Sequence, residues 1–86
     1  SLRRIDTAQG AVLLFSTPAS ESARENMTVR LSRDGGQTWP SARVLHSGPA
    51  AYSCLCALPN ERAACLYERG DQTPYEYLTL ARFDLP

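Results

Sequence analysis

The sequence predicts an all-β fold, an antiparallel meander of six strands, for three reasons. Apolar residues form continuous runs or period-two alternations of strand length. Clusters of Gly, Pro, Asn and Asp separate these runs, as expected for tight turns. Helical periodicity never extends beyond a turn, although residues 19–26 could hold one short turn.

The strands are predicted in chain order at residues 11–16, 27–32, 42–46, 52–58, 62–68 and 75–83. The first is a continuous apolar run, and the second alternates between apolar and polar residues, which favours a half-buried strand. The turns are predicted at Asp34-Gly35-Gly36, Gly48-Pro49, Pro59-Asn60-Glu61 and Gly70-Asp71. Because these connections are short, consecutive strands are expected to pair in chain order.

Length and burial indicate a part of something larger. A chain of 86 residues is one small unit that buries only about 60% of its unfolded surface. Three of the predicted strands look apolar on both faces, and such strands need neighbours on both sides. The chain also opens on Ser1 and has its one Met at position 27. We therefore expect a piece of a longer protein.

The charge balance excludes several classes of partner. Nine acidic residues match nine basic ones, so no concentrated basic face is expected for nucleic acid or a membrane surface. No apolar run approaches the roughly 18 residues of a membrane span.

Cys54, Cys56 and Cys65 lack the spacing of a zinc site and are predicted to be buried free thiols. A bridge from Cys65 to Cys54 or Cys56 stays open, and with it the compartment.

Residues 32–39 carry the spacing Ser-x-Asp-x-Gly-x-Thr-Trp. In a hairpin, Asp accepts backbone N–H bonds, Gly takes the positive-φ position and Trp covers the turn. The alternative is a generic Asp-Gly hairpin. The matching positions are Ser32, Asp34, Gly36, Thr38 and Trp39. They resemble the Asp-box, or bacterial neuraminidase repeat (BNR), a structural turn between the third and fourth strands of a β-propeller blade.

The resemblance implies that residues 1–86 are the C-terminal one-and-a-half to two blades of a six-bladed sialidase propeller. Residues 11–46 would supply strands two to four of one blade, including the Asp-box at 32–39. Residues 52–83 would supply three strands of the last blade, which lacks one strand.

Three further segments resemble exo-α-sialidases (neuraminidases) of the bacterial and animal type. They are Phe15-Ser-Thr-Pro-Ala19 with residues 22–32, Gly48-Pro-Ala-Ala-Tyr52-Ser53, and Cys65-Leu-Tyr67-Glu68-Arg-Gly70 with Tyr75-Glu76 and residues 80–83. Cys54 is a departure, because many relatives have Asp or Ser after Tyr-Ser, and local hydrogen bonding is expected to differ there.

By this resemblance, Arg24 is the third arginine of the triad that binds the substrate carboxylate. A guanidinium suits this role because it stays charged and holds a carboxylate with two parallel hydrogen bonds. The alternative is a surface arginine beside Glu21 or Glu25.

The resemblance also makes Tyr52 the nucleophile. A phenol has a pKa of about 10 and needs an adjacent base, but a neutral attacking group is not repelled by the substrate carboxylate. The alternative is a core tyrosine, of which Tyr67, Tyr75 and Tyr77 are the expected examples.

Glu68 is implied to hold the first triad arginine in place, without proton transfer of its own. A carboxylate at the end of an apolar strand needs a partner, and the alternative partner is Arg69. His46 is expected to be an ordinary strand-end residue, and Asp34 and Trp39 to serve the turn.

The resemblance thus implies part of a retaining exo-α-sialidase, a glycoside hydrolase that releases terminal sialic acid from sialylated glycans, without metal or organic cofactor. The first arginine, the general acid, the glutamate partner of Tyr52 and the earlier blades lie outside the chain, so the fragment alone is expected to be inactive. The compartment is open, with secreted or periplasmic favoured for a bacterial source. The alternatives are a non-catalytic Asp-box binding module, in which Arg24, Tyr52 and Glu68 do not converge, and a truncated inactive relic.

Overall fold

A computed structural model describes residues 1–85 and contains six antiparallel strands. In chain order they are β1 (Leu2–Thr7), β2 (Gly10–Pro18), β3 (Glu25–Ser32), β4 (Ser41–Leu58), β5 (Arg62–Arg69) and β6 (Tyr77–Asp84). Each strand pairs with its neighbour in the chain, in the order β1-β2-β3-β4-β5-β6. The predicted all-β meander is therefore confirmed.

The longest strand, β4, joins two sheets. Its first half pairs with β3 as far as Pro49, and its second half pairs with β5 from Ala50 onward. The predicted strands 42–46 and 52–58 are thus parts of one strand, and the predicted turn at Gly48-Pro49 is wrong. Proline lacks an N–H for the ladder, and here it stands where β4 changes partners.

The first strand, β1, was absent from the predicted set. Its residues Leu2–Thr7 bury only Ile5 and leave most of the others exposed, so no apolar periodicity marks it. It is a strand because it pairs along its whole length with β2. Residues 19–24 form an irregular loop without a helical turn, and the last strand begins at Tyr77, not at residue 75.

The core lies where the two sheets curl toward each other. Its buried members come from all six strands: Ile5, Val12, Leu14, Met27, Val29, Leu31, Ala50, Leu55, Ala63, Cys65, Tyr67 and Phe83. On β3 these are alternate residues, as period-two burial of one face requires. Complete burial of a leucine such as Leu14 contributes roughly 1.5–3 kcal/mol.

The opposite face of the β4–β6 sheet is apolar and exposed. It carries Leu66, Leu78 and Leu80, together with the exposed thiols of Cys54 and Cys56. The prediction of buried thiols is therefore wrong for these two cysteines. Unlike the pair on this face, Cys65 is buried in the core.

Cys65 lies opposite Leu55 in the β4–β5 register. Since neighbouring residues of a strand point to opposite faces, its thiol points away from Cys54 and Cys56, and the bridges left open by the sequence are not formed. Burial raises the pKa of the Cys65 thiol.

Within residues 1–85, the structure has no helix with the length and apolarity needed to cross a membrane.

Candidate active site

Two irregularities of the sheet meet where β4 changes partners. One lies between Glu25 and Met27 on β3, where Asn26 has a φ of 63°. The other lies on β4 between Ala50 and Ser53, so that Tyr52 falls within it. Bulges of this kind bend a strand and redirect its side chains. Arg24, from the loop before β3, and Tyr52, from β4, are brought together at this corner.

The loop before β3 holds Arg24 against β4. The carbonyl oxygen of Arg24 accepts a hydrogen bond from the N–H of Ala50 at 2.9 Å. Within the loop, the Ser20 hydroxyl donates to Glu25 Oε1 at 3.2 Å and accepts from the N–H of Ala23 at 3.3 Å. Glu25, one alternative partner of the arginine, is thus occupied by Ser20.

The Arg24 guanidinium contacts two tyrosines. Its Cζ lies 5.2 Å from the ring centroid of Tyr52, within cation–π distance. Its Nη1 donates a hydrogen bond to the Tyr75 hydroxyl at 2.8 Å. The largest single contribution that raises the pKa of Arg24 comes from the side chain of Tyr52, and the side chain of Tyr75 raises it further. The arginine is therefore cationic at any physiological pH.

Tyr52 is not a core residue, since 72% of it is exposed. Of the three tyrosines expected in the core, only Tyr67 is buried. For Tyr75 and Tyr77 the expectation is wrong, because they are 59% and 51% exposed. Tyr75 lies in the β5–β6 connection and Tyr77 is the first residue of β6, so neither is in the middle of the sheet.

Glu68 lies beside Tyr52. Its Oε1 accepts a hydrogen bond from the backbone N–H of Tyr52 at 3.1 Å, an N–H that the irregularity of β4 takes out of the ladder. The alternative partner, Arg69, instead has its Cζ 5.0 Å from the ring centroid of Tyr77 and donates from Nε to Thr79 Oγ1 at 2.8 Å. Arg24, Tyr52 and Glu68 therefore form a chain of contacts.

A cavity of about 260 Å³ opens at this corner. Arg24 and Tyr52 line it, together with residues 16–18 of β2 and Ser53 of β4. The hydroxyls of Ser16 and Ser53 share a hydrogen bond of 2.7 Å. The cavity thus combines a cationic guanidinium, a phenol and hydroxyls, a set of groups that suits a small polar anion.

The β5–β6 loop, residues 70–76, supplies Tyr75, to which sequence reasoning gave no functional role. Glu76 Oε2 accepts from the backbone N–H groups of Asp71, Gln72 and Thr73. These bonds, first that from Gln72 and then that from Asp71, lower the pKa of Glu76. Tyr75-Glu76 was already among the segments that resemble sialidases. Its contact with Arg24 could not be predicted, because the two residues are 51 positions apart in the chain.

Gly70 and His46 fix the start of this loop. The Gly70 N–H donates to the Pro49 carbonyl at 3.0 Å, and the Gly70 carbonyl lies 3.0 Å from His46 Nε2. A Cβ at Gly70 would overlap the Thr73 carbonyl oxygen and the Glu76 carboxylate. His46 thus has a specific partner, beyond the strand-end role expected of it.

The turn at residues 32–39 lies at the opposite end of β3 from Arg24. The Ser32 hydroxyl donates to Asp34 Oδ1 at 2.8 Å and accepts from the Gly36 N–H at 2.9 Å. Asp34 also accepts from the N–H and hydroxyl of Thr38. The Trp39 indole donates to the Gly36 carbonyl at 3.1 Å.

These bonds make the turn self-contained. The Thr38 hydroxyl, the Thr38 N–H and the Ser32 hydroxyl lower the pKa of Asp34 to about 2. Gly35 and Gly36 take positive φ values of 74° and 93°, which glycine adopts without strain. In the part of the chain that the structure describes, no group of three or more His, Cys, Asp or Glu residues could hold a metal ion.

Comparison with known proteins relates the chain to one group of enzymes. It is 44% identical over 75 residues to a sialidase of Micromonospora viridifaciens, covering 87% of this chain and 12% of that protein. It is 35% identical over 80 residues to human sialidase-4, covering 85% of this chain and 16% of that protein. A scan against protein-family models finds no match.

The fold leads to the same group. The structure of Hadza microbial sialidase Hz136 superposes with a TM-score of 0.82 and 28% identity, covering 98% of this chain and 17% of that one. The six strands are thus a partial propeller. By sequence and by fold, the chain is a segment of the sialidase family, and it spans less than a fifth of the length of these relatives.

Proposed function

We propose that this chain is the C-terminal part of an exo-α-sialidase, a retaining glycoside hydrolase that releases terminal sialic acid from glycoconjugates. The observation that carries the proposal is the chain of contacts from Arg24 to Tyr52 to Glu68. These residues come from three segments, each of which resembles a sialidase site segment. Arg24 and Tyr52 line one cavity, and Glu68 binds the backbone of Tyr52, which favours a shared role over three independent surface roles.

In this proposal Arg24 binds the substrate carboxylate. Sialic acid carries that carboxylate on its anomeric carbon, so the arginine would anchor the sugar at the reacting centre. Arg24 lines the 260 Å³ cavity, and a guanidinium forms charge-assisted hydrogen bonds with a carboxylate. Two further arginines would come from other blades of the longer protein.

Tyr52 is the proposed nucleophile. Its phenolic oxygen would bond to the anomeric carbon as the bond to the leaving oxygen breaks, and its proton would pass to a glutamate outside this chain. An acid outside the chain would protonate the leaving oxygen. Water would then attack the glycosyl-tyrosine, releasing sialic acid with retained configuration and restoring the phenol. No metal or organic cofactor takes part in these steps.

Glu68 is proposed as a positioning residue. Its Oε1 binds the N–H of Tyr52, and its Oε2 would receive the first triad arginine from another blade. One carboxylate would then link the backbone at the nucleophile to the carboxylate-binding arginines.

The β1–β4 sheet would be one blade, with the Asp-box at residues 32–39, and the β4–β6 sheet would be the last blade.

The alternative, a non-catalytic Asp-box binding module, expects Arg24, Tyr52 and Glu68 to have no common destination. The observed contacts support the enzyme instead. The relic alternative differs in a measurable way, because it expects no turnover from the complete protein that carries this chain.

The decisive variant is Tyr52→Phe in that complete protein. We expect sialoside kcat to fall at least about 1000-fold, because the variant lacks the attacking oxygen, while affinity for sialic acid stays nearly unchanged. Steady-state kinetics and calorimetric binding check this result. The matched control is Tyr77→Phe, whose ring contacts Arg69. Wild-type turnover in Tyr52→Phe, or a wild-type protein without turnover, would overturn the proposal.

A further inference from the structure

The Arg24 guanidinium is restrained in two independent ways. A cation–π contact, with Cζ 5.2 Å from the ring centroid of Tyr52, holds the group beside one tyrosine. The 2.8 Å hydrogen bond from Nη1 to the Tyr75 hydroxyl restrains the direction in which the fork points. Because a guanidinium has five N–H donors in a rigid fork, a bond at Nη1 leaves other donors for a ligand.

The second restraint depends on a loop that is itself built for one conformation. The Glu76 carboxylate gathers consecutive backbone N–H groups of residues 71–73. Gly70 admits this carboxylate only because it has no Cβ. His46 and Pro49 bind Gly70 from β4, the strand that carries Tyr52. Through Gly70, the loop that carries Tyr75 is therefore attached to β4, the strand that also carries Tyr52.

We propose that Tyr75 is a positioning residue that orients Arg24 for the substrate carboxylate, with Glu76 and Gly70 fixing the loop that presents it. The proposal rests on the proposed function of Arg24. A long arginine side chain loses rotamer freedom when it binds a ligand, and an arginine already held in place loses less. Tyr75 then acts on substrate binding through Arg24 without contacting the reacting atoms.

Tyr75→Phe in the complete protein tests this role, because it removes the hydroxyl and keeps the ring. We expect the KM for a sialoside to rise about tenfold while kcat changes less than about threefold, as for loss of an interaction made equally in ground and transition states. The matched control is Tyr77→Phe, and the unfolding temperatures of the two variants should agree. A KM in Tyr75→Phe equal to that of Tyr77→Phe overturns the proposal.

A double-mutant cycle separates positioning from a general structural effect. In an Arg24→Lys background the Tyr75→Phe change should have almost no further effect on KM, because the hydrogen bond it removes acts through the guanidinium. A full tenfold effect in that background would show that Tyr75 acts independently of Arg24.

NMR of the Arg24 side chain provides a readout that needs no enzymatic activity. Restricted rotation in the wild type predicts separate Nη1 and Nη2 signals, which should merge in Tyr75→Phe and stay separate in Tyr77→Phe. Merged signals in the wild type contradict the positioning role. Separate signals in a wild-type protein without sialoside turnover would overturn the proposed function but not the orientation of Arg24 by Tyr75.

Discussion

The turn at residues 32–39 and the corner around Arg24 occupy opposite ends of β3, and they are stabilised in different ways. In the turn, Ser32, Asp34 and Thr38 satisfy one another within eight consecutive residues. At the corner, Arg24 reaches Tyr52 and Tyr75 from segments that are 28 and 51 residues away along the chain. The turn is a closed local unit, whereas the corner depends on the whole sheet.

The difference also concerns exposure to a ligand. The hydrogen bonds of Asp34 are made within its own turn. Arg24, by contrast, lies beside a cavity, and its two tyrosine contacts leave part of its donor fork available. A charged group whose bonds are satisfied locally stabilises the fold, whereas one held by its neighbours beside a cavity is suited to binding.

Arg24→Ala should have the largest effect among the variants that separate these two regions. We expect sialoside kcat/KM to fall on the order of 100-fold, because charge-assisted hydrogen bonds to the substrate carboxylate are lost. Arg43→Ala is the matched control, since Arg43 is an exposed arginine near the start of β4. Equal kcat/KM values for the two variants would remove Arg24 from the binding site.

Gly70→Ala should have an intermediate effect. The added methyl group overlaps the Thr73 carbonyl and the Glu76 carboxylate, so the loop must open and Tyr75 must leave Arg24. We expect a rise in sialoside KM of about tenfold, similar to that of Tyr75→Phe. Steady-state kinetics of Gly70→Ala, Tyr75→Phe and the combined variant check this, and additive effects of the two changes would contradict a shared cause.

Asp34→Asn should have the smallest effect on catalysis and a specific effect on stability. The folded-state pKa of Asp34 is lowered to about 2 from an ordinary value of 3.8. The carboxylate therefore stabilises the fold fully above about pH 4, and this contribution is lost as the pH falls through about 2. Above pH 4, the variant should unfold at a lower temperature than the wild type.

Calorimetric thermal unfolding of the complete protein and its Asp34→Asn variant measures this difference. The gap between wild type and Asp34→Asn should close between pH 4 and pH 2, and sialoside kinetics at neutral pH should be unchanged. A gap that stays constant down to pH 2, or a changed kcat/KM, would assign Asp34 a role outside its turn.

The sequence was sufficient wherever the determining contacts are local. The turn at residues 32–39 could be predicted because its side-chain partners lie within eight positions. The predicted strands 27–32 and 62–68 correspond closely to β3 and β5, and the core members of each strand are alternate residues. The pairing of these strands in chain order follows from short connections.

The sequence was insufficient where geometry depends on a distant partner. β1 contributes Ile5 alone to the core, and its pairing with β2 makes it a strand. Gly48-Pro49 has the composition of a turn, but β4 continues through it because β3 and β5 provide successive partners. Tyr75 was expected in the core because its neighbours along the chain do not indicate the contact with Arg24. Only the folded loop brings the two residues together.

The most direct test of the account is to trap the proposed intermediate in the complete protein with a fluorinated sialoside, whose glycosyl-enzyme hydrolyses slowly. Trypsin cuts after Arg43 and Arg62, and the peptide 44–62 contains Tyr52 as its one tyrosine. We expect mass spectrometry to find one sialosyl adduct on that peptide, lost in Tyr52→Phe. An adduct on any other peptide, or sialoside turnover that continues without labelling Tyr52, would contradict the assignment of this residue as the nucleophile.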